Sequence, residues 1–106
     1  MNRQYRQGDV LLCAIDSIPD EAKPVPHDGE LVVVAQGELT GHAHVFAAGA
    51  VRMFRDMPSG RTFLLVTSGA AFLRHEEHDP ILVPAGRYEI RRQRDYLRRA
   101  ARFVAD

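Results

Sequence analysis

Residues 43–74 read AHVFAAGAVRMFRDMPSGRTFLLVTSGAAFLR, and this stretch decides the fold class. Its apolar runs are short, rich in Val, Phe and Leu, and are cut at Ala48-Gly49, Pro58-Ser59-Gly60 and Ser68-Gly69. Short apolar runs between turn residues are the pattern of an all-β domain, whereas a helix needs an unbroken 3.6-residue stripe. Working outward, strands are expected at 8–15, 31–36, 43–47, 50–55, 61–66, 69–74, 80–83 and 86–94. Sequential strands joined by such turns pair antiparallel, and a meander of this kind closes on itself or packs on a second sheet. The expected fold is therefore all-β, a small antiparallel barrel or sandwich. The segment 19–29 carries Pro19, Pro24 and Pro26 among acidic residues and reads as an exposed loop, because proline cannot serve a central strand.

The pattern changes after Asp95, a good N-cap. Tyr96, Leu97, Ala100, Ala101 and Val104 make one apolar helical stripe, with Arg98, Arg99 and Arg102 facing away, so a short C-terminal amphipathic helix is expected at about 96–105. A helix that short is marginal alone and must dock its stripe on the β-domain or on a second subunit, which makes a homo-oligomer one expectation.

The chain has 106 residues, 45% hydrophobic and 26% charged, an ordinary globular composition for a single domain spanning 1–106. Its formal net charge is zero, so no global field draws in polyanions. The charge is nevertheless uneven. Residues 9–38 hold seven acids against Lys23 alone, and residues 87–102 hold seven arginines against Glu89 and Asp95. Cys13 is the one cysteine, which excludes an internal disulfide and a multi-cysteine zinc site; within the apolar run 10–15 it reads as a small buried thiol. Neither a basic-plus-apolar leader nor an 18-residue apolar stretch is present, so a soluble cytoplasmic protein with no membrane partner is expected.

Four of the five histidines fall in two tight groups, Gly41-His42-Ala43-His44 and His75-Glu76-Glu77-His78. Residues two apart on a strand share a face, so His42 and His44 are spaced to present two imidazole nitrogens to one point. His75 and His78, three apart, converge only in a turn, which the following Asp79-Pro80 favours. Neutral imidazole ligates zinc, iron, nickel, copper and manganese, and a carboxylate from Glu76 or Glu77 would complete a site with an open position. The bland alternative is a polar strand face and a solvated, salt-bridged corner. His27, in the acidic loop, reads as exposed.

Glycine followed by His-x-His on a strand, and then Ile81-Leu82-Val83-Pro84-Ala85-Gly86-Arg87-Tyr88-Glu89, resembles the two signature stretches of the cupin superfamily, small β-barrels that commonly hold a metal through histidines and a glutamate. The resemblance covers about half the chain. It implies His42 and His44 as ligands and matches Pro84 and Gly86 to the second signature. Where the family has its glutamate, this chain has Ala48 or Gly49, and where it has its last histidine, Glu89. A cupin-like site would therefore be completed by Glu89, His75 or His78.

The expected function is binding of one divalent transition metal (zinc, iron, nickel or manganese) by His42, His44, His75, His78 and Glu89, with Glu76 and Glu77 as candidate catalytic acid or base residues acting on a small-molecule substrate. The alternative is a non-enzymatic interaction protein whose basic C-terminal arm, with Tyr88 and Tyr96 among its arginines, binds a protein partner or nucleic acid. No nucleophile elbow and no phosphate-binding glycine loop is present.

Overall fold

Burial alternates along Leu31–Val34 and Val51–Met53, while Tyr88, Glu89 and Ile90 are buried in succession. The computed structural model describes residues 3–27, 29–36 and 41–93. Strand β1 (Gln4–Gln7) turns through Gly8-Asp9 into β2 (Val10–Ala14). Gly8 has φ +60°, which suits the first corner of a two-residue hairpin turn and favours glycine there. After an extended loop come β3 (Lys23–Pro24), β4 (Leu31–Gln36), β5 (Ala43–Ala47), a single 3-10 turn at Ala48–Ala50, β6 (Val51–Arg55), β7 (Thr62–Leu73) and β8 (Ile81–Arg92).

Six strands pair antiparallel in the order β1-β2-β8-β7-β6-β3, and β4 and β5 form a separate hairpin. One two-way bridge joins the pieces: Val45 and Arg74 exchange both backbone hydrogen bonds at 2.9 Å. The hairpin sends Val32, Val34 and Phe46 into the same buried cluster as Val10, Leu12, Leu64, Val66, Leu73 and Val83 of the larger sheet. Two antiparallel sheets thus share one core. Phe46, with no exposed surface, contributes on the order of 2–3 kcal/mol by burial alone.

The expected strands 61–66 and 69–74 are one strand, β7. Ser68-Gly69 makes a register shift between Val66 and Ala70 instead of a turn, and Ser68 Oγ donates to the Ala70 carbonyl at 2.9 Å. A bulge bends a strand without reversing it, so β7 and β8 stay paired from Thr62↔Ile90 to Leu73↔Ile81. The expected strands 80–83 and 86–94 likewise merge into β8 across Gly86, whose φ of +154° favours glycine and whose open side carries the Tyr88 ring. Strand β3 lies in the proline-rich loop, at the edge of the sheet, where the missing proline N–H costs nothing. The C-terminal helix expected at 96–105 lies outside the described residues. Among those described, no helix is long and apolar enough to cross a membrane.

Candidate metal centre

Three segments distant in sequence meet at one end of the molecule. The Gly8-Asp9 turn brings β1 and β2, His42 immediately precedes β5 and His44 is its second residue, and the bend 75–78 links β7 to β8. The Val45–Arg74 bridge sets β5 beside the end of β7, which is why imidazoles some thirty residues apart become neighbours. The His75 ring is the centre of the group, 4.3 Å from His44, 4.6 Å from His78 and 5.6 Å from His42 between centroids. His44 and His78 lie 6.0 Å apart, nearly parallel.

On the outer side, His42, His75 and Glu76 present ligand atoms that all lie within 4.8 Å of one another. Glu76 accepts the Ala43 N–H at 3.1 Å, and hydrogen bonds from its own backbone N–H and that of Ala43 hold its carboxyl below the usual range. Glu77 pairs with His42 Nδ1 at 3.2 Å, and its backbone N–H donates to His75 Nδ1 at 3.0 Å.

His44, on the inner side, is 4% exposed. Its Nδ1 lies 2.8 Å from Gln7 Oε1, and Gln7 Nε2 donates to the carbonyls of Leu73 at 2.8 Å and Asp79 at 2.9 Å. Two carbonyl acceptors fix which end of the Gln7 amide is nitrogen, so Oε1 must accept and His44 Nδ1 must carry the proton. Burial, followed by the neighbouring His75, lowers the His44 pKa to about 4 and outweighs the opposing pull of Asp9. His44 is therefore neutral at pH 7, and its 3.9 Å approach to Asp9 is not an ion pair there. The free lone pair sits on Nε2. This is the arrangement that orients metal-ligating histidines, one ring nitrogen donating to a carbonyl and the other left to coordinate. Asp9 is turned toward it by Arg92, whose Nε and guanidinium NH2 bond Asp9 Oδ2 at 3.1 and 3.0 Å.

The structure gathers His42, His44, His75, His78, Glu76 and Glu77, and leaves Glu89 out. Glu89 faces the other way on β8, buried, with Arg61 Nε and NH2 at 3.0 and 2.9 Å and Arg91 NH2 at 3.0 Å. Those guanidinium bonds, that from Arg61 foremost, hold its carboxyl below the usual range. Both its oxygens are taken, and it serves as the anchor of an ion triad. The basic end of β8 is likewise engaged internally, Arg91 with Glu89 and Arg92 with Asp9. Arg94, Arg98, Arg99 and Arg102 lie outside the described residues. His27 is exposed, beside the Gly29 carbonyl. Gln7 and Asp9 carry no spacing signature in the sequence. Only the positive φ at Gly8, which a Gly-Asp turn invites, hints that both ends of that turn are fixed.

A family model described as a domain of unknown function, DUF8820, matches residues 6–93. The chain belongs to the DUF8820 family. That match spans the hairpin turn, both histidine groups and the whole of β8, so every residue of the cluster lies inside the DUF8820 domain. No curated protein and no solved structure matches the chain.

Proposed function

We propose that this chain binds a divalent transition metal ion at the imidazole cluster, with His42, His75 and Glu76 as the ligands. One observation carries the reading: two histidine pairs thirty residues apart in sequence converge, and three of the grouped side chains already offer donor atoms within 4.8 Å of one another. Two imidazole nitrogens and a carboxylate oxygen suit zinc, iron, nickel or manganese, and leave coordination positions open for water or a small-molecule substrate. Bound there, the ion would act as a Lewis acid or lower the pKa of bound water, and Glu77, in contact with His42 and largely exposed, is the group placed to move a proton. The likeness to cupins supports the same use of His42 in a small, cytoplasmic, barrel-like β-domain, with a ligand set of its own.

The test is metal retention by the stripped protein after incubation with zinc, measured by elemental analysis after desalting. Retention of zinc by the native chain and a lower zinc-to-protein ratio in His42→Ala and in His75→Ala, with an unchanged β-type circular dichroism spectrum, is expected. A stripped chain that retains no zinc at micromolar concentration refutes the proposal.

A further inference from the structure

The outer ligands leave the inner half of the cluster unused, and that half contains an unmet buried group. His44 Nε2 is an acceptor on a side chain 4% exposed, and the polar atom it faces, Asp9 Oδ1 at 3.9 Å, is also an acceptor. At that distance no direct hydrogen bond joins them, and two lone pairs confront each other across a gap. Both are held from behind: His44 by Gln7, and Asp9 by Arg92 through its other oxygen. A third donor lies beside them. A Cβ placed on Gly8 would fall 2.8 Å from His78 Nε2 and 3.4 Å from His44 Cε1, so the His78 nitrogen rests over the bare Gly8 backbone next to the His44 ring.

We propose that Asp9, His44 and His78 form a second divalent-cation position, adjoining the outer one, so that the cluster holds two ions. Ligand atoms bound at about 2.1 Å to a tetrahedral ion stand roughly 3.4 Å apart, so the 3.9 Å gap between Asp9 and His44 closes around a cation with a shift of about half an ångström, and the exposed His78 side chain turns in from farther away to supply the third ligand. Each position then has two imidazoles and one carboxylate. His42 and His44 divide between the two positions, as do His75 and His78. Arg92 becomes a positioning residue, because by occupying Asp9 Oδ2 it leaves Oδ1 to the ion. Glycine is required at position 8 on this account, since a side chain there would occupy the space of the His78 nitrogen.

The proposal rests on metal binding at the cluster, and counting ions separates the two. The full chain, stripped and titrated with zinc alone by calorimetry, with elemental analysis after desalting, should take up two zinc ions. Asp9→Asn and His78→Ala should each take up one, and His42→Ala should also take up one. Because Asp9 is paired with Arg92, His78→Ala, at an exposed position, provides the count should Asp9→Asn unfold. One ion in the native chain, unaffected by Asp9→Asn and His78→Ala, overturns the second position and leaves the outer one standing. One ion lost in all three variants places a single ion across the cluster and also overturns it. Two ions retained in both inner variants overturn this ligand assignment, and no uptake at all overturns both proposals.

Discussion

Replacing Gln7 by leucine removes a side chain that ties His44 to the end of the sheet. Gln7 is 3% exposed and makes three hydrogen bonds: from its amide nitrogen to the Leu73 and Asp79 carbonyls, and through Oε1 to His44 Nδ1. Each such bond contributes a net ~0.5–1.5 kcal/mol, and a buried N–H left without an acceptor costs ~1–3 kcal/mol. The Asp79 end is within reach of water and recovers most of its share, while the buried His44 N–H and Leu73 carbonyl do not. The added methyls of leucine offset part of this, so a loss of about 3 kcal/mol is expected for Gln7→Leu. Urea unfolding of the metal-free protein, followed by circular dichroism, measures it against Gln4→Leu on the same strand. That exposed position should change by less than about 0.5 kcal/mol. Two further readouts are specific to the site. Nitrogen-15 chemical shifts should show His44 protonated on Nδ1 in the native chain, and zinc affinity should fall roughly ten- to a hundred-fold in the variant, the usual cost of losing an outer-shell partner. A stability loss below about 1 kcal/mol, or His44 protonated on Nε2, refutes the tautomer argument and with it the assignment of Nε2 as the metal-facing atom.

Three other outcomes follow from the same geometry. His44 has a native pKa of about 4 against 6.5 unfolded, so above pH 6.5 both states are neutral and nothing is lost. Below 6.5 the unfolded chain takes up the proton first, and this residue should cost the metal-free protein up to about 3 kcal/mol by pH 4. Subtracting the His44→Gln pH–stability profile from that of the native chain isolates this component, and a difference that grows with acidification in favour of the native chain would contradict the sign. Glu89→Gln should cost only about 1 kcal/mol, because Arg61 and Arg91 are more than half exposed and their charges are screened, and should leave zinc uptake unchanged. Loss of an ion in that variant would return Glu89 to the ligand set. Finally, the Glu77 amide should lose its protection from hydrogen exchange when zinc binds. A neutral imidazole ligating through Nε2 carries its proton on Nδ1, and one ligating through Nδ1 has no lone pair left, so either way His75 ceases to accept the Glu77 N–H. An amide equally protected with and without zinc would remove His75 from the coordination sphere.

The fold was largely legible because strand signals are local. The strands expected at 31–36 and 43–47 match β4 and β5, and the Pro58-Ser59-Gly60 turn stands, since each depends only on alternation and on residues suited to corners. What failed was the distinction between a turn and a bulge at Ser68-Gly69. The same small residues permit either, and the choice is made by the partner strand β8, which flanks the bulge through Val66↔Gly86 and Ala70↔Pro84. The histidines were legible as two pairs, because spacing of two and three is a local signal. Their meeting depends on the Val45–Arg74 bridge, which no short-range pattern encodes. Asp9 and Gln7 were invisible for the same reason: a lone amide and a lone carboxylate gain meaning only from the β5 and β7 groups they face. Glu89 misled because its position in a cupin-like signature is defined along the chain, whereas its partner Arg61 lies across the sheet.

The solvated-corner alternative and the metal reading differ in what they ask of His44. A polar corner of histidines and glutamates gains nothing from burying one imidazole, holding it neutral and leaving its second nitrogen without a hydrogen bond; an orphaned buried acceptor costs ~1–3 kcal/mol. In a domain whose whole stability is of the order of 5–15 kcal/mol, that is a substantial fraction. Arg92 deepens the cost by holding Asp9 so that Oδ1 faces the same gap. A cation between the two atoms turns both acceptors into ligands, so that the strain becomes binding energy and the metal-bound state should be the more stable one. An unfolding midpoint that does not rise on addition of zinc would mean that the buried nitrogen is met some other way, and the half-buried His42 with the exposed Glu76 and Glu77 would then be no more than a polar surface.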